Sequence, residues 1–153
     1  MVGNRLWIVT SRCEVLCLDT EGMANGNEGP YTDEAKYMAK DTPKESAPVD
    51  PSKQDADLIW RYDMMDELGV FPHNASNCSV INLGNTLFAC TSNGQDWTHV
   101  NIPSPLSPSF IALNKETGEL VGEDDAMAQG PLHRLFHPGL LARGGRGFVG
   151  ETQ

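Results

Sequence analysis

The sequence predicts an all-β fold in which short antiparallel strands form two stacked sheets. One pattern occurs twice: Val15–Gly22 and Phe110–Gly118 each carry an apolar run that ends in Leu-Asp or Leu-Asn and continues into a glycine-terminated turn. A related strand precedes each copy, Leu6–Ser11 in the first and Leu87–Ser92 in the second. The 15 glycines and 10 prolines among 153 residues also favour many turns over long helices.

The first unit begins with two predicted strands, Leu6–Thr10 and Glu14–Leu18, which are short and rich in β-branched and aromatic residues. Residues 23–56 then hold several prolines and almost no aliphatic side chains. Because such a segment cannot bury enough apolar surface to fold alone, we expect a long polar insertion on the surface. Leu58–Tyr62 restores the strand pattern.

A short helix is predicted after that strand, over Met64–Leu68. Asp63 precedes it as an N-cap and Gly69 follows it as a stop, which is the usual arrangement of helix-terminating residues. The acidic residues of this stretch would also suit a hard cation with oxygen ligands, but helix capping explains them without one.

The second unit contains the clearest hairpin, Cys78–Leu83 and Thr86–Thr91 joined by the two-residue turn Gly-Asn. A second insertion, 93–108, separates it from two further strands, Ser109–Leu113 and Glu119–Val121. The expected total is two four-stranded units. Since two such units cannot cover all their sheet faces, we expect a flat apolar face at each end of the stack.

Charge and hydropathy exclude some classes of partner. A formal charge of −10 argues against binding to nucleic acid or to an anionic lipid surface, since both need clustered Lys and Arg. No apolar run approaches the roughly 20 residues of a transmembrane segment. The chain also enters a strand without a signal peptide, so we expect it to be a piece of a larger protein.

The end of the chain differs in composition from the rest. Residues 130–153 hold three arginines, one acid and many glycines, so we assign residues 1–129 to the repeat units and 130–153 to an irregular basic tail. One hypothesis is that this tail is a frame-shifted or truncated reading of a longer gene. His133 and His137 are spaced like two ligands on one helix face, but Pro131 and Pro138 bracket them, so we expect no metal site.

The cysteines and several polar loop residues are the remaining candidates for functional sites. The four cysteines match no metal-binding spacing and are expected to be small buried hydrophobic residues. Polar loop residues next to predicted strand ends are candidates for binding, since loops carry many binding groups. They are His73, Asn74, Asn93, Asp96 and His99. The alternative is that the Asn and Asp side chains satisfy the backbone of turns.

One stretch resembles a known repeat. Ala112–Val121, with the sequence ALNKETGELV, is similar to the tryptophan-docking segment of pyrroloquinoline-quinone-type β-propellers, in which a terminal Trp packs on the neighbouring blade. Trp60 occupies the docking position of the first unit, whereas Gly122 stands there in the second. Trp60–Asn74 and Thr91–Asp96 are similar to a bacterial subgroup with long inserts, and the resemblance covers roughly residues 5–125.

The resemblance implies an incomplete β-propeller of four-stranded antiparallel blades with long polar insertions. It implies a non-catalytic module for binding or scaffolding, part of a larger bacterial protein of the periplasm or envelope. Its partners would be the remaining blades or another protein, and Trp60 would have a structural docking role.

The alternative is part of a quinone-dependent alcohol dehydrogenase, an oxidoreductase that uses pyrroloquinoline quinone and calcium. Members of that group carry a catalytic Asp, and many also carry a vicinal disulfide. This chain has no adjacent cysteines and no stretch that identifies the Asp. The sequence therefore assigns no catalytic, cofactor-binding or metal-ligating residue.

Overall fold

The computed structural model describes residues 1–35 and 50–124, which form seven strands in two antiparallel sheets and very little helix. The predicted all-β class is therefore confirmed. The strands are β1 (Arg5–Val9), β2 (Glu14–Asp19), β3 (Asp57–Asp63), β4 (Ile81–Leu83), β5 (Thr86–Cys90), β6 (Phe110–Asn114) and β7 (Leu120–Glu123), and the helix is α1 (Met64–Leu68).

The first sheet has the strand order β1-β2-β3, and its register aligns three side chains in one row across the strands. Trp7 is paired with Cys17, and Cys17 is paired with Trp60. Directly opposing residues of an antiparallel sheet share a face, so the two indoles flank the small Cys17 side chain. A bulge follows, where Ile59 is the extra residue on β3.

The second sheet has the order β4-β5-β6-β7 and repeats this register. The row Phe88, Ala112 and Gly122 stands where the first sheet has Trp7, Cys17 and Trp60. Its bulge also lies one step beyond the row, with Val121 as the extra residue on β7. The repeat predicted from the sequence is therefore a repeat of strand pairing as well.

The first sheet departs from the expected four strands, since the described residues form three. In place of a fourth strand, Val2 makes an isolated bridge to Arg5, at the position that the Leu83–Thr86 pair holds in the second sheet. The predicted strand Cys78–Leu83 is also shortened to its last three residues. Its first residue, Cys78, instead contacts the Cys90 backbone through Sγ, 3.2 Å from the Cys90 nitrogen.

The hydrophobic core lies between the two sheets. The first sheet buries the face that carries Trp7, Cys17 and Trp60. The second sheet buries the face opposite its equivalent row of Phe88, Ala112 and Gly122. We call these two buried faces the inner faces. The inner face of the second sheet consists of aliphatic side chains that are at most 3% exposed: Leu87, Ala89, Ile111 and Leu113. Burial of such apolar surface is the main source of stability for a small β protein.

The cysteines do not all behave as expected. Cys13 and Cys17 lie in the core, and burial raises the pKa of Cys17 to about 12. The expectation of four buried cysteines is wrong for the other two: Cys78 is half-buried and Cys90 is exposed. Cys90 is the last residue of β5 and belongs to the strand face that points away from the core, so its register position explains its exposure.

Helix α1 has the predicted bounds. The Asp63 side chain accepts hydrogen bonds from the backbone N–H groups of Met65 and Asp66, at 3.0 and 3.2 Å. Gly69 ends the helix in the left-handed conformation with φ 64°, which glycine adopts at little cost. Met64 is fully buried and fixes this short helix to the core.

Both outer faces expose apolar side chains. On the outer face of the second sheet, Ile81 is 62% exposed, and the rings of Phe88 and Phe110 stack with centroids 5.8 Å apart. On the outer face of the first sheet, Leu6 and Ile8 are partly exposed. Among the described residues, no helix has the length and hydropathy needed to cross a bilayer. The predicted tail 130–153 and much of the insertion 23–56 lie outside the described residues.

Candidate functional site

The joint between the two sheets is built on one carbonyl group. The indole N–H groups of Trp7 and Trp60 both donate hydrogen bonds to the backbone oxygen of Lys115, at 3.1 Å each. Lys115 belongs to the turn between β6 and β7. Because buried Tyr and Trp side chains usually need a polar partner, this carbonyl allows both indoles to be buried without an unsatisfied donor.

The turn approaches Trp60 closely. Gly118 has φ 74°, and a Cβ atom placed there would lie 2.7 Å from Cδ2 and from Cε3 of Trp60. Asn114 holds the turn in shape, since its Oδ1 accepts hydrogen bonds from the backbone of Glu116 and Thr117. The Trp60 ring therefore lies against the β6–β7 turn of the second sheet. Trp7 has no part in the sequence prediction, because its position beside Trp60 follows from the pairing of both tryptophans with Cys17.

The predicted loop residues lie mostly in one cluster, where the loop before Asn74 meets the loop 93–101. Asn93 connects the two loops: its Oδ1 accepts a hydrogen bond from the Phe71 N–H at 3.0 Å, and its amide group donates to the carbonyls of Ser104 and Ser107. Gly94 N–H in turn donates to the Phe71 carbonyl. The Asn93 side chain therefore serves the loop backbone.

Asp96 organises the tip of the same loop. Its carboxylate accepts hydrogen bonds from the Thr98 hydroxyl at 2.6 Å and from the Asn101 amide at 2.8 Å. These hydrogen bonds stabilise the ionised carboxylate and hold the pKa of Asp96 well below its ordinary range, and the bond from Thr98 has the largest effect. A carboxylate engaged in this way closes a turn and has little capacity left for a ligand.

His73 and His99 are brought together by these loops. Their Nε2 atoms are 2.8 Å apart, and the Nδ1 atom of His73 is 3.0 Å from the carbonyl oxygen of Gln95. Trp97 is 65% exposed, and the centroid of its ring lies 5.5 Å from that of the His73 ring. Asn74, the remaining predicted residue, is exposed next to His73.

Buried acidic residues on the first sheet hold its surface segments in place. Glu14, which is 1% exposed, accepts a hydrogen bond from Arg61 at 2.8 Å. Asp57 Oδ2 accepts one from the Glu28 N–H at 3.0 Å, which ties the insertion to β3, and burial raises the pKa of Asp57. Its other oxygen, Oδ1, is buried and has no hydrogen-bond partner among the described residues.

No cluster of three or more His, Cys, Asp or Glu side chains suited to a metal ion occurs within residues 1–35 and 50–124. The two arrangements of interest are therefore the joint at Trp60 and the loop cluster with the two histidines. Comparison of the chain with protein-family models, with curated proteins and with solved structures gives no match.

Proposed function

We propose that this chain is a non-catalytic repeat module of a quinoprotein-like β-propeller, and that it binds or scaffolds other molecules as part of a larger bacterial envelope protein. The observation that supports this most is the joint at Lys115. Its chemistry is structural, since two indoles and a glycine turn position one sheet on the next.

The repeated register gives the proposal its geometry. Each sheet has one face equivalent to the tryptophan row and one aliphatic face, and the joint brings the tryptophan row of the first sheet against the aliphatic face of the second. On the opposite pair of faces, the described residues leave apolar side chains exposed: Leu6 and Ile8 on the first sheet and Ile81 on the second. A further sheet that packed with the same geometry as the first sheet on the second would cover one of these two faces. Repeated packing of this kind gives a head-to-tail, heterologous stack.

The open face of the second sheet carries a shallow apolar hollow at the position where a joint is expected. The row Phe88, Ala112 and Gly122 lines it together with Asp124. In the first sheet, the equivalent row receives the turn with Lys115. The hollow would therefore receive the equivalent turn of a following sheet, although Phe88 and Gly122 offer no indole N–H to its carbonyl, so we expect docking there to be weaker.

The alternative function, part of a quinone-dependent alcohol dehydrogenase, would need oxygen ligands for calcium beside the quinone. Two of the candidate loop residues, Asp96 and Asn93, do not fit that role. Both oxygens of Asp96 accept hydrogen bonds within their own loop, and the Asn93 amide is occupied by backbone partners. Dye-linked alcohol oxidation by the longest available form of the protein, with quinone and calcium added, would overturn the non-catalytic proposal.

The stacking proposal can be tested with two variants of the full chain. Ile8→Lys places a charge on the open face of the first sheet, and Ile81→Lys places one on the open face of the second; both side chains are exposed enough to leave the core intact. In a head-to-tail stack, each variant alone loses one of the two complementary faces. We therefore expect wild type to associate with increasing concentration and each variant to stay monomeric.

An equimolar mixture of the two variants is the decisive sample, because each keeps the face that the other has lost. Sedimentation equilibrium should show a dimer that grows no further. Association of either variant alone, as strong as that of wild type, would contradict head-to-tail stacking. A wild type that remains monomeric up to hundreds of micromolar would contradict it as well.

A further inference from the structure

We propose that His73 and His99 form a surface site for a divalent copper or nickel ion, bound through the Nε2 atoms of both imidazoles with water completing the coordination. Imidazole nitrogen is a good ligand for these ions, and nitrogen and oxygen donors in a square-planar or tetragonal arrangement are typical of them. The proposal is independent of sheet stacking.

His73 is oriented for metal binding by the second nitrogen of its ring. Nδ1 lies 3.0 Å from the Gln95 carbonyl oxygen, which can only accept a hydrogen bond. Nδ1 is therefore the protonated nitrogen of the neutral ring, and Nε2 carries the lone pair. A ligating histidine is usually fixed in this way, with its other nitrogen donating to a backbone carbonyl or a carboxylate.

The distances between the rings match two ligands bound at a right angle. Their Nε2 atoms are 2.8 Å apart and their ring centroids 4.5 Å apart. With metal–nitrogen bonds of about 2.0 Å, a right angle separates two bound nitrogens by about 2.8 Å and two imidazole centres by about 4.5 Å. A tetrahedral site, which zinc prefers, would need about 3.3 Å between the nitrogens.

In the metal-free chain the same contact is a bent N–H···N hydrogen bond between the two rings, which the ion would replace. A linear bond of the same length would place the ring centres about 5 Å apart, because both rings would extend away from each other along one line. The observed 4.5 Å shows that the rings are inclined, with an angle of 43° between their planes.

The loop around His99 is already held in the required shape. His99 has φ 60°, an uncommon conformation for a residue other than glycine, and its N–H donates to the Asp96 carbonyl at 3.0 Å. The Asp96 carboxylate stabilises the same loop through Thr98. Trp97 packs against His73 from the side. The ion would therefore bind to a largely pre-formed pair of ligands, which lowers the entropic cost of binding.

The test is a titration of the full chain with Cu²⁺, followed by calorimetry and by electron paramagnetic resonance. We expect one ion per chain at this site. The electron paramagnetic resonance spectrum should show that two imidazole nitrogens bind the copper. Loss of a group that only hydrogen-bonds a metal ligand typically weakens metal binding by about 10- to 100-fold. Loss of a ligand itself, in His73→Gln or His99→Gln, should therefore raise the dissociation constant by at least about tenfold.

His133→Gln/His137→Gln is the matched control, because it removes the same number of imidazoles from elsewhere in the chain. We expect this double variant to bind Cu²⁺ like wild type. Because the Trp97 ring lies 5.5 Å from the His73 ring, the bound ion should quench its fluorescence, and this quenching should be lost in Trp97→Phe. The proposal is overturned if His73→Gln and His99→Gln, with circular dichroism like that of wild type, bind Cu²⁺ unchanged, or if only the control variant loses binding.

Discussion

Gly118→Ala tests whether the contact between the β6–β7 turn and Trp60 stabilises the fold. Gly118 has φ 74°, and left-handed backbone costs an L-residue about 1–2 kcal/mol. The new Cβ would also lie 2.7 Å from two atoms of the Trp60 ring, and overpacking of this kind typically costs about 1–3 kcal/mol. The expected loss in the free energy of unfolding is therefore about 2–5 kcal/mol.

Gly84→Ala separates the two contributions. Gly84 has φ 62°, but nothing lies within 4 Å of the position that its Cβ would take. This variant should lose only the backbone contribution, about 1–2 kcal/mol. Urea unfolding monitored by tryptophan fluorescence measures both variants, and the midpoint of Gly118→Ala should lie about 1 M below that of Gly84→Ala if their m values agree.

A double-mutant cycle identifies Trp60 as the cause. In a Trp60→Leu background the ring is gone, so Gly118→Ala should cost no more than Gly84→Ala does in wild type. Equal midpoints for the two glycine variants in the wild-type background would refute the reasoning, because the joint would then contribute nothing beyond the turn conformation.

Two further predictions concern ionisable side chains. Cys90, which is exposed, should react with a maleimide at pH 8 within minutes. Cys17 should stay unmodified in the folded chain, because it is buried and burial raises its pKa to about 12. Equal labelling of both cysteines in peptide mass spectrometry would contradict the core described above. Burial raises the pKa of Asp57 above its unfolded value, so its contribution to stability is full below the ordinary Asp value of about 3.9 and is lost as the pH rises through the folded pKa. Asp57→Asn should therefore flatten the decline of unfolding free energy across that window, and a decline as steep as that of wild type would contradict the assignment.

The parts of the fold that the sequence predicted are those with local causes. Asp63 and Gly69 delimit helix α1 because capping needs only residues within the helix termini. The turn from Asn114 to Gly118 is predictable from two local features, the Asn side chain that accepts backbone hydrogen bonds and the glycine that adopts a positive φ. Both lie within the same five residues.

The parts that the sequence left open depend on register or on the approach of distant loops. Trp7 shares an acceptor with Trp60 only because both are paired with Cys17, and no pattern within β1 shows this. His73 and His99 were each recognised as loop residues, but their contact requires two loops to be connected through Asn93. The strand pattern at Cys78 was misleading, because a thiol contact replaced ladder pairing there.

The joint also accounts for how such a repeat could vary while keeping its geometry. The acceptor is a backbone carbonyl, so the two indole hydrogen bonds do not depend on the identity of the side chain at position 115. The paired rows are equivalent in the two sheets although the connections before β3 and β6 differ in length. The constraint falls on a few positions, chiefly Trp60 and Gly118. The second sheet keeps the glycine turn and the bulge but has Gly122 in place of a tryptophan, so the strand register is maintained independently of the indole that docks on it.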